Sequence, residues 1–270
     1  MSHGTKDGKI FAADEEYYIE ELWENFLGNN CKSLVGKPKL FFIQADRGTM
    51  IDPGVSFKSN QLSNVVDNVE VDSARPISII PKLSDLLVMY STAEGHHSFR
   101  NPLTGSWFIQ TLCEVLKTHP DEEILSILTL VNQKIAYEKQ AHFSDNAKFD
   151  GAKQMPNIVS MLTKSFFLYS KTENDLTDKQ KQLRSSCKER LEDYYDFSNS
   201  NRGIALIFNH ESFDQYSKRN GTRKDGDDLN EVLTYLQFDV RQHMDLKFNE
   251  IKSILSEGES LLNKYEHCFN

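Results

Sequence analysis

The strongest chemical pattern in the sequence is Gln44-Ala45-Asp46-Arg47-Gly48, set directly after the apolar run Leu40-Phe41-Phe42-Ile43. Asp46 is its reactive group, a carboxylate at a strand end. Ser2-His3-Gly4 lies upstream, with His3 43 residues before Asp46. It offers an imidazole, the side chain whose charge changes most readily near neutral pH. A carboxylate and an imidazole can exchange a proton or pair as opposite charges. Arg100 and Arg219, taken alone, read as surface cations. His96 and His97 are neighbours in sequence, and adjacent strand residues face opposite ways, so no metal site is expected there. The four cysteines, Cys31, Cys113, Cys187 and Cys268, are spaced 82, 74 and 81 apart with no C-x-x-C. That spacing argues against a disulfide scaffold or a zinc site and fits a reducing, cytoplasmic setting. Asn220-Gly221-Thr222 is a glycosylation sequon, expected to be idle in such a setting.

The elements that must position these groups alternate between strand and helix. Lys39–Gln44, Leu86–Ser91 and Gly203–Asn209 are short apolar runs, as strands buried on both faces would be. Leu229, Val232, Leu233 and Leu236 form one helical stripe, with Asp228 and Glu231 read as a capping-box start. Trp107, Phe108, Leu112, Val115 and Leu116 form a second stripe. Ile124, Leu125, Leu128, Val131 and Ile135 form a third, and Phe248, Ile251 and Leu255 begin a fourth. The mixture predicts an α/β fold with helices packed on a mostly parallel sheet. Asp52–Ser84 and Lys171–Asn201 lack periodicity and read as linkers.

Composition narrows the function. The 270 residues suit one large domain or two small ones. Mean hydropathy is −0.54 and apolar runs reach only four or five residues, against the roughly twenty that a membrane span needs. The first eight residues are polar and show no secretory signal. The net charge of −9, without Lys/Arg runs, is a poor match for nucleic acid, whose affinity comes mainly from clustered cations.

The motifs themselves point further. Gly36–Ala45 (Gly-Lys-Pro-Lys-Leu-Phe-Phe-Ile-Gln-Ala) resembles the effector caspases almost residue for residue, as does the Gln-Ala-x-Arg-Gly frame around Asp46. Tyr90-Ser91-Thr92-Ala93, Ser98-Phe99-Arg100-Asn101, Gly105–Gln110 and Gln154–Lys164 resemble that family's small subunit. Arg202–Glu211 and Lys218-Arg219-Asn220-Gly221-Thr222 resemble the start of its large subunit, in the insect style. The resemblance implies an endopeptidase cutting after Asp, with no cofactor. A Cys thiolate attacks the carbonyl, a His serves as general acid and base, and backbone N–H groups hold the oxyanion. It assigns His3 to the acid/base role and Gly4 to the oxyanion N–H. Gln44, Arg100 and Arg219 would bind the substrate Asp, since a planar guanidinium grips a carboxylate bidentately. Ser98 would give a backbone contact, with Phe99 and Trp107 as aromatic walls.

Two departures qualify this. Asp46 stands where the family has its Cys. A carboxylate is a far weaker nucleophile toward an amide, and removing the nucleophile of a comparable triad costs on the order of 10⁶ in rate. The chain is therefore expected to be silent, with Asp46 in an ion pair with protonated His3. A native Cys at residue 46 would instead make it an active Asp-specific endopeptidase. The segment order is also rotated. Residues 1–51 hold the catalytic motifs, 52–84 the intersubunit linker, 85–170 the small subunit, 171–201 a second linker and 202–270 the start of the large subunit. The expected fold is thus a caspase-like α/β domain with a mostly parallel six-stranded sheet, circularly permuted, its cut falling inside a central strand between Asn270 and Met1. A single domain whose split strand is made by both termini, a product of misjoined tandem genes and an exchanged dimer all fit that order. Asp72, in Val69-Glu70-Val71-Asp72-Ser73, is a candidate processing site. Expected partners are a second caspase, through the small-subunit face whose last strand lies in Met155–Tyr169, and protein substrates or inhibitors with an acidic residue at the cleavage position.

Overall fold

The structure, a computed structural model, describes residues 1–5, 7–28, 30–52, 81–142, 147–168, 194–195 and 202–257. Asp72, Cys187, Cys268 and most of both linkers lie outside them. A hairpin of β1 (Lys9–Phe11) and β2 (Glu16–Tyr18) comes first, followed by short 3-10 turns. Then come β3 (Lys39–Ile43), β4 (Leu86–Tyr90) and a small hairpin of β5 (Arg100–Asn101) and β6 (Gly105–Ser106). Helices α1 (Trp107–Thr118) and α2 (Ile124–Glu138) precede β7 (Asn157–Ser160). The last described block is β8 (Ile204–Asn209), α3 (Thr222–Tyr235), β9 (Asp239–Met244) and α4 (Phe248–Ser256).

The main layer holds five strands in two hydrogen-bonded groups. β4 lies between parallel β3 and antiparallel β7, while β8 pairs in parallel with β9. This differs from the expected continuous six-stranded sheet. Between β8 and β3 the described chain contributes only Met1 and Ser2. The Met1 amine donates to the Phe208 carbonyl at 2.6 Å, and the Ser2 N–H donates to the Gln44 carbonyl at 3.0 Å.

Alternate residues of β4 feed opposite faces, as the strand period requires. Leu87 and Met89 pack with α1, α2 and α3, including Phe108, Leu112, Ile127, Leu128 and Val232. Leu86 and Val88 pack with α4 (Ile251, Leu255) and with Tyr17, Trp23 and Leu27. The helices start where local chemistry satisfies their first N–H groups. Ser106 Oγ accepts from the Ile109 N–H, and the Glu123 carboxylate accepts from Leu125 and Ser126. α3 begins at Thr222, six residues before the capping box expected at Asp228. Gly221 caps it at φ 89°, where a Cβ would come within 2.8 Å of the Asn101 and Pro102 carbonyl oxygens. Asp228 instead lies within the helix and takes Lys224 at 2.6 Å, one turn earlier. Among the described residues no helix is long and apolar enough to cross a membrane.

Candidate active site

The parallel strands β3, β4 and β8 end on the same side of the layer. The loops leaving their carboxyl ends form the cleft where ligands of open α/β sheets bind. β3 runs out into Gln44-Ala45-Asp46, pinned by Ser91 Oγ, which donates to the Ala45 carbonyl at 3.0 Å. The segment after β4 is laced to residues 47–50 by backbone bonds. Arg47 donates to the His96 carbonyl, Gly95 to the Arg47 carbonyl, and His97 to the Met50 carbonyl. This lacing holds Ser98 beside Asp46. From the first segment, Gly4 presses on the same turn: a Cβ there would lie 2.0 Å from the Asp46 carbonyl oxygen. His3, Gly4 and Asp46 are therefore brought together, as their motifs suggested.

Their pairing differs from the expected His3–Asp46 ion pair. Asp46 Oδ1 accepts from the Ser98 N–H at 2.7 Å and from Ser98 Oγ at 3.0 Å, and Oδ2 lies 3.9 Å from His97 Nδ1. His3 turns to the Ser217 carbonyl, 3.0 Å from its Nε2, and packs on Phe213 at 4.8 Å between ring centres. A carbonyl oxygen only accepts, so Nε2 carries a proton, and in the neutral ring Nδ1 is the base. Burial holds the His3 pKa below its ordinary value; the Ser217 carbonyl opposes this and the charge of Arg219 reinforces it. The physical reason for the change is competition. Two donors of Ser98 converge on the Asp46 carboxylate, while the His3 ring has its own acceptor and aromatic bed.

A second cluster is cationic. Arg219, in the loop before α3, is only 4% exposed. Its guanidinium donates to Thr222 Oγ1 at 3.2 Å and to the His210 carbonyl at 3.4 Å. Burial first, and then the neighbouring Arg100 charge, push its pKa down to about 10; Asp225 and Asp46 oppose this through their charges. Among the described residues no carboxylate reaches ion-pair distance of it. Arg100 donates to the Asn220 carbonyl, and its pKa too is lowered by burial. Gln44 is buried, donates to Ser98 Oγ at 3.0 Å, and leaves its Oε1 without a partner. Phe99 and Trp107 stand 4.8 Å apart, ring centre to ring centre, beside this cluster's Arg100 and Gln110. Two cations, an amide and an aromatic pair are what an extended ligand bearing a carboxylate requires.

Three contributors escaped sequence reading. His97 faces Asp46, a role hidden by treating the His pair only as possible metal ligands. Gln154 supports the aromatic wall, accepting from the Phe99 N–H at 2.6 Å and donating to the Ser91 carbonyl at 2.8 Å. Asp225 takes the Ser106 N–H at 2.9 Å and Gln110 at 3.0 Å, tying α1 to α3. Only its place among the polar residues of α3 could have hinted at burial. Among the described residues no group of His, Cys, Asp or Glu could hold a metal ion. The described cysteines stand away from the site: Cys31 and Cys113 are buried, the latter's thiol pushed up to about 12 by burial.

Comparison with known proteins matches these motifs. The caspase domain family model covers residues 1–167 and 202–265. Caspase-7 of Gallus gallus is 45% identical over 168 residues, 62% of this chain and 52% of that protein. Caspase-3 of Mesocricetus auratus is 44% identical over 170 residues, 63% of this chain and 57% of that protein. The crystal structure of caspase-1 from Spodoptera frugiperda matches with a TM-score of 0.53 and 37% identity, over 61% of this chain and 60% of that one. The chain spans about half the length of the curated relatives it matches.

Proposed function

The chain belongs to the caspase family, and from that premise we propose that it is a catalytically silent member that recognises an acidic side chain and acts by pairing with or decoying active caspases. The observation that carries this reading is the contrast within one cleft. Arg219 is buried and lacks a carboxylate among the described residues, whereas the nucleophile position holds a carboxylate already satisfied by Ser98. A desolvated guanidinium without a counter-charge is costly, and a bound Asp side chain would offset that cost. In this role Arg219, Arg100 and Gln44 hold the acidic group, and Phe99 and Trp107 flank the preceding residues. His3 and Gly4 keep the geometry of an acid/base and an oxyanion donor without a thiol to serve. The Ser98 N–H, assigned to ligand by resemblance, is occupied by Asp46.

The segments act as one domain in permuted order. Supporting this, the family model matches two blocks, while each relative aligns over about three fifths of the chain. Dimerisation is assigned to the small-subunit face. Along β7 and its approach, Met155 and Val159 are more than a third exposed. Asp72 is the assigned processing site, which another protease would have to cut, and the cytoplasm the assigned compartment.

Equilibrium binding and turnover of one labelled tetrapeptide test this reading. A peptide ending in Asp should bind saturably and release no fluorophore, and its Asn-ended twin should bind much more weakly. Fluorophore release by the unmodified chain would refute silence. Equal binding of the two peptides would refute recognition of the acidic group.

A further inference from the structure

β4 is buried along almost its whole length, but its neighbour β3 is not: Leu40, Phe41 and Phe42 are only half-buried. The same holds for most of β8. The cause is a cleft of about 370 Å³ between the two strands, lined by Leu40, Phe42, Leu206, Phe208, Leu233 and Leu255 among others.

The cleft has the geometry of a strand position. Residues of a parallel strand direct their N–H and C=O alternately to the two sides. In β3 the odd residues serve β4, as the Lys39 N–H to Asp85 and the Ile43 carbonyl to Ser91 show. In β8 the odd residues serve β9, as the Gly203 and Asn209 carbonyls show by accepting from Asp239 and Asp245. The backbone groups of Leu40, Phe42, Ile204 and Leu206 therefore face the cleft, and the described residues give them no partner. Met1 already makes the first ladder step at the far end. Its amine donates to Phe208, and its carbonyl accepts from His210 at 3.0 Å, a parallel bridge centred on Asn209. Ser2 extends the step to Gln44. Traced back from Met1, that register runs beside Ile204–Phe208 and Lys39–Ile43, five residues on each side.

Topology names the occupant. α4 follows β9 and returns toward the amino ends of the strands, and Leu255 in its last turn lines the cleft. Thirteen residues follow Glu257. About seven of them are enough for a helix-to-strand loop, since such loops commonly take 2–6. The rest, Tyr265-Glu266-His267-Cys268-Phe269-Asn270, can run as a strand parallel to β8 and β9, the direction a βαβ connection requires. We propose that Tyr265–Asn270 of the same chain adds between β8 and β3 as a parallel strand, meeting Met1–Ser2 and joining the two strand groups into one sheet. This rests on the one-domain reading of the segment order and is independent of whether the site is silent.

Amide hydrogen exchange on the full chain tests it. Leu40, Ile204 and Leu206 N–H should exchange roughly 100-fold or more slowly than free amides, approaching their odd-numbered neighbours Phe41, Ala205 and Ile207. Deleting residues 261–270 should release those three amides while Leu87 and Val88 stay protected, and a synthetic 261–270 peptide should restore them. Free exchange at Leu40, Ile204 and Leu206 in the full chain, beside protected odd neighbours, would overturn the proposal whether or not the deletion variant folds. Protection that grows with protein concentration would overturn it too, since a second copy would then be the donor. Loss of peptide binding with intact protection would strike the functional reading alone.

Discussion

The corner around Asp46 and the pocket around Arg219 share Ser98 and Gln44 as neighbours, yet their electrostatics are opposite. At Asp46 a carboxylate accepts two hydrogen bonds from one residue and is content without a ligand. At Arg219 a guanidinium is buried to 4% exposure, with only a hydroxyl and a carbonyl to receive its protons. One corner is self-satisfied and the other is charged and waiting. The difference teaches that recognition and chemistry in this cleft are separable: the first depends on cations supplied by the β5 and pre-α3 loops, the second on a single atom type at the end of β3.

The largest effect expected comes from giving the self-satisfied corner a nucleophile. Asp46→Cys removes the carboxylate from Ser98 and places a thiol beside Gly4 and a neutral His3. Hydrolysis of a fluorogenic Asp-terminated peptide should rise from background by several orders of magnitude, bounded by the roughly 10⁶ attached to a triad nucleophile. If the cysteine variant stays inert while binding the peptide, the corner lacks more than a thiol and the comparison fails. Next in size is Arg219→Ala, which should weaken Asp-peptide binding by about 2–5 kcal/mol, or roughly 30-fold to several thousand-fold. Unfolding stability should change little, because the lost hydrogen bonds are offset by removal of an unpaired buried charge. Arg219→Lys should not restore binding, since an ammonium lacks the planar fork. Calorimetric titration and urea unfolding read both halves.

A third prediction concerns the support beneath the cationic pocket. His210 is buried, gives its carbonyl to Arg219 and places Nε2 3.1 Å from the Leu246 carbonyl. Burial, and then the charge of the Met1 amine, lower its pKa to about 4. A histidine depressed in the folded state is stabilising when neutral. That contribution is complete above the unfolded value near 6.5 and is lost as pH falls toward 4, because the unfolded chain takes up the proton first. The shift corresponds to about 3 kcal/mol. Urea unfolding at pH 7 and pH 4.5 should show a loss of that order, and His210→Gln should reduce its pH dependence. An unchanged slope in the variant would move the acid sensitivity to other groups.

Much of this was legible in the sequence, for reasons that separate the elements. Lys39–Gln44, Leu86–Ser91 and Gly203–Asn209 announce β3, β4 and β8 because strands covered on both faces need unbroken apolar runs. The stripes of α1 to α4 were equally plain. β9 was not, since Asp239-Val240-Arg241-Gln242-His243-Met244 is half-buried throughout and carries no run or alternation. The start of α3 was missed because a glycine cap set by close contact with Asn101 and Pro102 is a tertiary constraint. In the site, local motifs fixed which residues converge, but not which pair. Whether Asp46 meets His3 or Ser98 depends on the lacing of residues 47–50 to 93–97, which no local pattern records.

The smallest effect tests whether the pocket wall can be loosened without touching Asp46. Ser106 caps α1 by accepting from Ile109, and its own N–H is held by Asp225. Trp107 is the first residue of that helix and the aromatic partner of Phe99. Ser106→Ala removes the cap but leaves the backbone N–H, so the Asp225 contact survives and the cost should be about 1 kcal/mol. The loss should be felt where α1 begins. Trp107 fluorescence, read in a Trp23→Phe background, should shift, and Asp-peptide affinity should fall by no more than about tenfold. The rate of an Asp46→Cys partner variant at saturating peptide should hold, because the Asp46 turn is braced by Ser91 and Gly4 rather than by α1. An equal fall in both quantities would show that the cationic pocket and the nucleophile corner move as one unit, and that their separation is only electrostatic.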